Sequence, residues 1–314
     1  MSRKRITMNL LQLDRNIAGE PSFRTFVYAD RNPLGRTKKQ RLLHAPNKPM
    51  ALLHKRLIKY VLSRGVSMPS ATGCIAGWSS KLNAQAHAGN QHLYQIDMRD
   101  AYQAVDLEYL ATIFEQLDPQ LRGQHEEVAA FVKTYCSCAL GGLATGANAS
   151  PLLFNLYCEV RLDRFVREYC ELRAISYTRY LDDLTFSSRD RAIGKQRRRD
   201  LRSFVEAAGF QVNHSKSRVV DIERQGTARI TGILLNSHGH AMLPARWCRE
   251  FNRQLRAALE GKALNRQQLE GMIGLFYSAT DLDHPTKKER ELVQLIHRYR
   301  HTCATKRRRR RTSL

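Results

Sequence analysis

Residues 176–188 read Ser-Tyr-Thr-Arg-Tyr-Leu-Asp-Asp-Leu-Thr-Phe-Ser-Ser, so two adjacent acids interrupt a run of side chains with high β-propensity. This pattern predicts two short strands that meet at a tight turn, with Asp182 and Asp183 at its tip. Neighbouring side chains of a strand point to opposite faces, so one carboxylate can bind a metal while the other lies beside it. Carboxylate oxygens suit Mg²⁺. Taken alone, an Asp-Asp pair is more often a solvated turn, because Asp favours turns.

The chain carries a large positive charge. Among its 314 residues, Lys and Arg outnumber Asp and Glu by 52 to 29, which gives a formal net charge of +23. Such an excess indicates a polyanionic partner, either nucleic acid or an anionic membrane surface. The sequence has no run of about 18 apolar residues and no apolar signal core after its basic start, so we expect no membrane partner.

The seven cysteines are odd in number and scattered, and their spacing matches no zinc site. We expect reduced thiols in a cytoplasmic protein. The length allows two or three compact subdomains.

Periodicity outlines the other elements. It predicts an amphipathic helix over 50–62, helical segments within 108–139, a helix over 152–169 that follows a glycine-rich loop, and a basic-faced helix over 191–208. Strands are expected near 93–102, 210–213, 219–222 and 229–236, and helices from Pro244 onward. The final Lys-Arg block over 306–311 is expected to be disordered.

A second acidic segment has the same layout as the first. Asp97 follows a predicted strand and lies 85 positions before Asp182. Nucleotidyl transfer with two Mg²⁺ ions needs several carboxylates within a few ångström, because one ion activates the attacking hydroxyl and the other binds the triphosphate. Asp97, Asp182 and Asp183 would meet that need.

Four ordered blocks resemble those of reverse transcriptases. They are Asp97–Tyr102, similar to the first catalytic acid block; Thr145–Pro151, similar to the Gln-Gly-x-x-x-Ser-Pro loop; Tyr180–Asp183, the Tyr-x-Asp-Asp hairpin; and Asn213–Lys216, with the lysine of the next palm block. The resemblance covers about residues 23–240. It implies an α+β right-hand polymerase with fingers, a palm of antiparallel sheet plus helices, and a helical thumb.

Two shorter motifs resemble retron reverse transcriptases in particular. Asn83-Ala84-Gln85-Ala86-His87 is similar to their NAxxH element, and Ile230-Thr231-Gly232 to their Val-Thr-Gly. The resemblance implies a bacterial anti-phage enzyme that binds a cognate structured noncoding RNA, starts from a 2′-hydroxyl and makes branched single-stranded multicopy DNA. Asn83 and His87 are therefore candidate RNA contacts, although both could instead cap or bridge backbone.

The same resemblance implies residue roles. Asp97 and Asp182 would bind Mg²⁺ directly, and Asp183 would complete the site of two ions. Lys216 would neutralise the triphosphate or protonate pyrophosphate. The expected substrate contacts are Arg99, Tyr102 as the steric gate that selects dNTPs, Gly146 and Ser150. The expected thumb contacts to an RNA:DNA hybrid are Arg246, Trp247 and Arg253.

The predicted subdomains are fingers over 1–91, the first palm strand over 92–104, fingers and palm helices over 105–138, palm over 139–238 and thumb with a basic tail over 239–314. Further expected partners are dNTPs, the single-stranded DNA product and an effector protein encoded in the same operon. Two alternatives stay open: another defence polymerase with protein-primed or untemplated synthesis, and a non-catalytic RNA-binding scaffold.

Overall fold

The computed structural model describes residues 9–31, 37–262, 265–280, 282 and 285–311. Within those ranges, no helix is both long enough and apolar enough to cross a membrane. All seven cysteines lie in the described part of the chain and are free thiols.

The chain alternates short strands with helices. The strands are β1 Phe23–Arg31, β2 Thr37–Pro46, β3 His92–Arg99, β4 Ser176–Tyr180, β5 Asp183–Ser188, β6 Gln211–Val212, β7 Arg218–Asp221, β8 Thr227–Ile230, β9 Ile233–Asn236 and β10 Ala241–Met242. The helices are α1 Lys48–Ser63, α2 Ser80–Gln85, α3 Leu107–Leu117, α4 His125–Cys136, α5 Ser150–Cys158, α6 Arg164–Glu171, α7 Lys195–Ala207, α8 Ile222–Gln225, α9 Ala245–Leu259, α10 Arg266–Ala279 and α11 Lys287–Arg311. Three-residue 3₁₀ turns lie at Leu10–Gln12 and Pro119–Leu121.

Two compact units make up the described chain. The first contains residues 1–76, 94–186 and 193–218, apart from the positions outside the described ranges. The largest sheet has the order β4-β5-β3-β6, with β7 paired to β3. Buried and half-buried side chains partly alternate along β3. Its buried Ile96 and Met98 belong to a large apolar core. Side chains carried on the strands of a packed sheet are held more precisely than side chains on loops.

The second unit contains residues 77–93, 187–192 and 219–314, again apart from the positions outside the described ranges. It combines a three-stranded antiparallel sheet, ordered β10-β9-β8, with the helices of the carboxyl-terminal part. Its own core includes Phe251 and Phe276, whose ring centroids lie 5.7 Å apart, together with Ile296. Each unit therefore has the separate hydrophobic core expected of a subdomain.

Most predicted elements are present, with some differences. The strand expected near 229–236 is two antiparallel strands, β8 and β9. The helix predicted over 152–169 is interrupted by a π-helical turn at Glu159–Asp163. The helix predicted from 191 begins at Lys195, after Gly194. The disorder predicted over 306–311 is wrong, because the backbone of α11 is helical as far as Arg311.

The boundaries of the two compact units differ from those of the predicted subdomains. Residues predicted as fingers and as palm share the core of the first unit. Strands β8 and β9, predicted as palm, lie in the second unit with the predicted thumb helices. The mixed α+β class with antiparallel sheets agrees with the prediction.

Candidate active site

The predicted strand–turn–strand at the acid pair is present. Strand β4 ends at Tyr180, β5 begins at Asp183, and Leu181 between them has a φ of 54°. A left-handed backbone is uncommon for a residue other than glycine and costs energy, so surrounding contacts must hold it. One such contact is the Met98 amide, which donates to the Asp182 carbonyl at 2.9 Å and ties the turn to β3.

Asp97 lies within β3, two residues before its end, and the turn follows at Asp100 with a φ of 44°. Lys216 Nζ donates to Asp97 Oδ2 at 2.9 Å, and the Asn213 amide donates to the Asp97 carbonyl at 2.8 Å. The other carboxylate oxygen, Asp97 Oδ1, is buried without a hydrogen-bond partner among the described residues. A buried acceptor of this kind is costly unless it binds a cation or a donor.

The three carboxylates share one electrostatic environment. Loss of hydration and the charge of Asp97 raise the pKa of Asp182, whereas Lys216 and Arg41 oppose the rise. Loss of hydration first, and then the charges of Asp182 and Asp97, raise the pKa of Asp183 to about 6. Asp183 is nevertheless partly open to solvent. Like charges near one another favour protonation, and a bound cation would reverse that preference.

These carboxylates fit a divalent cation, although the described residues contain no group of three His, Cys, Asp or Glu side chains arranged as a finished metal site. The unpartnered Asp97 Oδ1, and the burial and the repulsion from Asp97 that together raise the pKa of Asp182, are features that a hard cation would relieve. Asp97, Asp182 and Asp183 would hold such an ion. Carboxylate oxygens are the donors that Mg²⁺ prefers.

The proposed gate residue, Tyr102, is half-buried and stacks on Phe154, with 5.0 Å between ring centroids and 21° between planes. Burial raises its pKa, and the charge of Asp182 raises it further. The Leu143 amide donates to the Tyr102 carbonyl at 2.7 Å. This approach requires Gly142, since a Cβ there would lie 2.4 Å from the same oxygen. The sequence reading missed Gly142, although the Gly-Gly pair in its loop was a signal.

The glycine loop packs on β2. Gly146 has a φ of 97°, and a Cβ there would lie 3.4 Å from the His44 carbonyl oxygen. The His44 amide donates to the Thr145 carbonyl at 2.8 Å. Ser150 is buried, and its hydroxyl donates to the Ala144 carbonyl at 2.7 Å. Ser150 therefore stabilises the loop through an internal hydrogen bond. Its hydroxyl would have to break this bond in order to contact substrate directly.

The cationic candidates differ in environment. Arg99 is exposed at the end of β3. On α9, Arg246 is exposed, Trp247 packs against Phe251 at 4.9 Å between ring centroids, and Arg253 forms a two-pronged ion pair with Glu250. Arg253 would have to exchange a carboxylate for a phosphate in order to bind nucleic acid, and Trp247 is half-buried against the core of the second unit.

The two candidate RNA contacts, Asn83 and His87, are buried. Asn83 Nδ2 donates to Thr231 Oγ1 at 3.3 Å, and His87 Nδ1 lies 2.7 Å from Ser187 Oγ. Asn83 thus joins the first retron-like motif to the second, because Thr231 belongs to the Ile-Thr-Gly segment. This placement favours the structural alternative, in which both residues brace the second unit and do not touch RNA.

A buried polar cluster beneath the acid turn was missed by the sequence reading. Arg179 and Asp163 are both fully buried and form an ion pair of 2.7 Å, and Asn155 lies beside them. A signal existed for Asn155, which interrupts the apolar run 152–158, but not for Asp163, which lies among charged residues, or for Arg179, which follows Ser176, Tyr177 and Thr178. Such residues are rarely buried unless they are paired.

Comparison with known proteins gives consistent results. A family model described as reverse transcriptase (RNA-dependent DNA polymerase) matches residues 35–247. The retron Mx162 reverse transcriptase of Myxococcus xanthus is 30% identical over 297 residues, which cover 82% of this chain and 58% of that protein. The retron Mx65 reverse transcriptase of the same organism is 29% identical over 256 residues, covering 74% of this chain and 57% of that protein. The chain therefore spans a little over half the length of these two relatives.

A solved structure of apo telomerase from Candida tropicalis aligns with 90% of this chain and 57% of its own, with a TM-score of 0.50 and 13% identity. At that identity the likeness concerns the fold alone. The family model covers most of the chain and includes Asp97, the glycine loop, the acid hairpin and Lys216. This chain is a member of the reverse transcriptase family, of the retron type.

Proposed function

We propose that this protein is an RNA-directed DNA polymerase that copies a cognate structured noncoding RNA into single-stranded DNA. The observation that carries the proposal is the shared environment of Asp97, Asp182 and Asp183, where a buried carboxylate oxygen of Asp97 lacks a partner among the described residues. Family membership supports the reaction class.

Two bound Mg²⁺ ions would supply activation of the primer hydroxyl and neutralisation of the triphosphate. The residues of this chain do the rest. Asp97 and Asp182 would hold the metal, and Asp183 would complete the site. Lys216, which is paired with Asp97 in this structure, would neutralise the triphosphate or donate a proton from its ammonium group to the leaving pyrophosphate.

Other residues position the substrate. Tyr102, fixed by stacking on Phe154, packs below the sugar and excludes a 2′-hydroxyl. Arg41, whose charge already acts on Asp182, and the exposed Arg99 contact the incoming dNTP. The Gly146 loop supports the new base pair. Arg246, Trp247 and Arg253 form part of a thumb surface for the RNA:DNA hybrid, with Arg253 exchanging Glu250 for phosphate.

Similarity to retron enzymes supports a finer proposal. Synthesis starts from a 2′-hydroxyl of the RNA, and the branched multicopy DNA serves anti-phage defence together with an effector protein. The free thiols fit a cytoplasmic location. The fingers, palm and thumb boundaries predicted from the sequence belong to the same proposal.

The test compares wild-type protein with the Asp182→Ala, Asp183→Ala double variant in primer extension on an RNA template. We expect extension to stop while RNA affinity is retained, because the acids hold metal and carry no RNA contact. Equal defence activity of both proteins would favour the non-catalytic scaffold instead.

A second measurement addresses priming. DNA extracted with the protein from its host is treated with an enzyme that cleaves 2′,5′ bonds. Release of RNA from the DNA supports retron-type priming, whereas DNA that stays attached to protein supports the protein-primed alternative.

A further inference from the structure

Arg179 is fully buried on β4, and its guanidinium is held on several sides. Its Nε donates to Asp163 Oδ1 at 2.9 Å, and its Nη2 donates to Asp163 Oδ2 at 2.7 Å. Its Nη1 donates to Asn155 Oδ1 at 2.9 Å and to the Leu181 carbonyl at 3.1 Å. The last bond connects the buried pair directly to the turn that precedes Asp182.

The partner carboxylate is held just as firmly. Asp163 is fully buried at the end of the π-helical turn Glu159–Asp163, and it also accepts a hydrogen bond from the Tyr177 hydroxyl at 2.7 Å. A π turn inserts one extra residue and rotates the side chains that follow, and such turns often occur at functional sites. Here the turn brings Asp163 under β4, opposite Arg179.

The opposite side of the turn is closed by backbone. The Thr72 amide donates to the Arg179 carbonyl at 2.8 Å, and a Cβ on Gly73 would lie 2.8 Å from the Leu181 nitrogen. Asn155 Nδ2 donates to the Gly73 carbonyl at 2.8 Å. Asn155 therefore bonds to both Arg179 and the segment containing Gly73, so the left-handed Leu181 is enclosed by one continuous network.

Stability alone does not account for this ion pair. Removing two charges from water is costly, and well-packed apolar residues of similar volume are often at least as stabilising. An apolar pair would, however, offer no donor to the Leu181 carbonyl. The charged pair adds a defined hydrogen-bond direction. A guanidinium held by both oxygens of a carboxylate donates its remaining N–H groups along fixed directions.

We propose that Arg179, oriented by Asp163, is a positioning residue that holds the left-handed turn at Leu181 and thereby aims the Asp182 carboxylate at the metal site. The proposal rests on the polymerase function proposed above. It assigns no chemical step to Arg179, which is fully buried behind the turn.

The test replaces the whole pair, because removal of one partner would leave an uncompensated buried charge and endanger folding. The double variant Arg179→Met, Asp163→Leu is compared with wild type in single-nucleotide incorporation and in Mn²⁺ binding followed by electron paramagnetic resonance. We expect kcat to fall about tenfold or more while the KM for dNTP changes by less than about threefold. We also expect weaker Mn²⁺ binding in the absence of any substrate.

Arg179→Lys makes a smaller perturbation. It keeps the charge beside Asp163 but removes the fork that reaches Leu181. The same direction of change in kcat and Mn²⁺ binding is expected.

A matched control is the Arg64–Asp118 pair, which also buries its carboxylate and bonds to a tyrosine. Arg64→Met, Asp118→Leu is expected to alter thermal stability but leave kcat per folded molecule and Mn²⁺ binding within about twofold of wild type. Equal losses in both double variants, or wild-type kcat and Mn²⁺ binding in the Arg179 variant, would overturn the proposal. If wild-type protein incorporates no nucleotide, the polymerase proposal fails, and the Mn²⁺ measurement still decides whether Arg179 positions Asp182.

Discussion

At the scale of single residues, the site depends on side chains whose orientation is restricted by neighbours. The ring of Tyr102 is one example, since it stacks on Phe154 and is half-buried. The Asp97 carboxylate is another. One of its oxygens accepts a hydrogen bond from Lys216, and the other has no hydrogen-bond partner among the described residues. Groups held in this way lose little conformational entropy when substrate or metal binds.

Tyr102→Ala should relax sugar selection. Loss of the ring opens space where a 2′-hydroxyl would otherwise clash, so the ratio of kcat/KM for dNTP to that for the matching NTP is expected to fall about tenfold or more. Tyr102→Phe is the matched control because it keeps the ring and its stacking. Kinetics of single-nucleotide incorporation measure both ratios. An unchanged ratio in the alanine variant would show that Tyr102 is a core residue and not the gate.

At the scale of secondary-structure elements, close backbone approach decides the geometry of the acid turn. The segment containing Gly73 lies against the β4–β5 turn so closely that a methyl group cannot fit without movement of Leu181. The short β4 and β5 strands therefore depend on a segment about a hundred positions away in sequence. Such an interaction cannot be recognised from strand propensity.

Gly73→Ala is expected to move the turn and reduce kcat about tenfold, because its Cβ would lie 2.8 Å from a backbone nitrogen that cannot rotate away. Gly194→Ala is the control, since no atom lies within 4 Å of the corresponding Cβ and its φ is −62°. Primer extension and thermal melting of both variants give the comparison. Equal activity of the two variants would contradict the close approach.

The buried His87, which follows α2, makes the free energy of unfolding depend on pH. Burial lowers its pKa from 6.5 to about 4, so the unfolded chain takes up a proton at a pH where the folded protein does not. Its contribution to stability is present above the unfolded pKa and is lost as pH falls toward the folded pKa. Between about pH 7 and 5.5 this amounts to about 1 kcal/mol of unfolding free energy.

Urea unfolding at the two pH values checks this prediction. His87→Gln is expected to show a smaller loss of stability on acidification than wild type, whatever its stability at neutral pH. The exposed His238 supplies the control, since His238→Gln should retain the wild-type pH dependence. A wild-type slope in the His87 variant would contradict the assignment.

At the scale of the whole molecule, the net charge of +23 governs association with nucleic acid. Lys and Arg side chains that contact phosphates release counterions, so RNA affinity should fall steeply with salt. We expect log Kd to rise by several units per decade of salt, with a slope of about 0.7 for each phosphate neutralised on single-stranded RNA. Fluorescence anisotropy across a salt series measures the slope. A slope near zero would contradict an electrostatic interface.

The sequence by itself determined the family, because the acid hairpin, Asp97, the glycine loop and Lys216 are local patterns whose order can be recognised without coordinates. It also indicated the α+β class and most elements. Tertiary structure decided which polar residues face inward. Asn83, His87 and Ser150 are internal supports, and Arg179 with Asp163 underlies the acid turn, since burial depends on which distant segments meet. Local sequence patterns do not specify these tertiary contacts. A motif can therefore indicate the chemistry of a site, whereas the residues that support it are identified only in the folded chain.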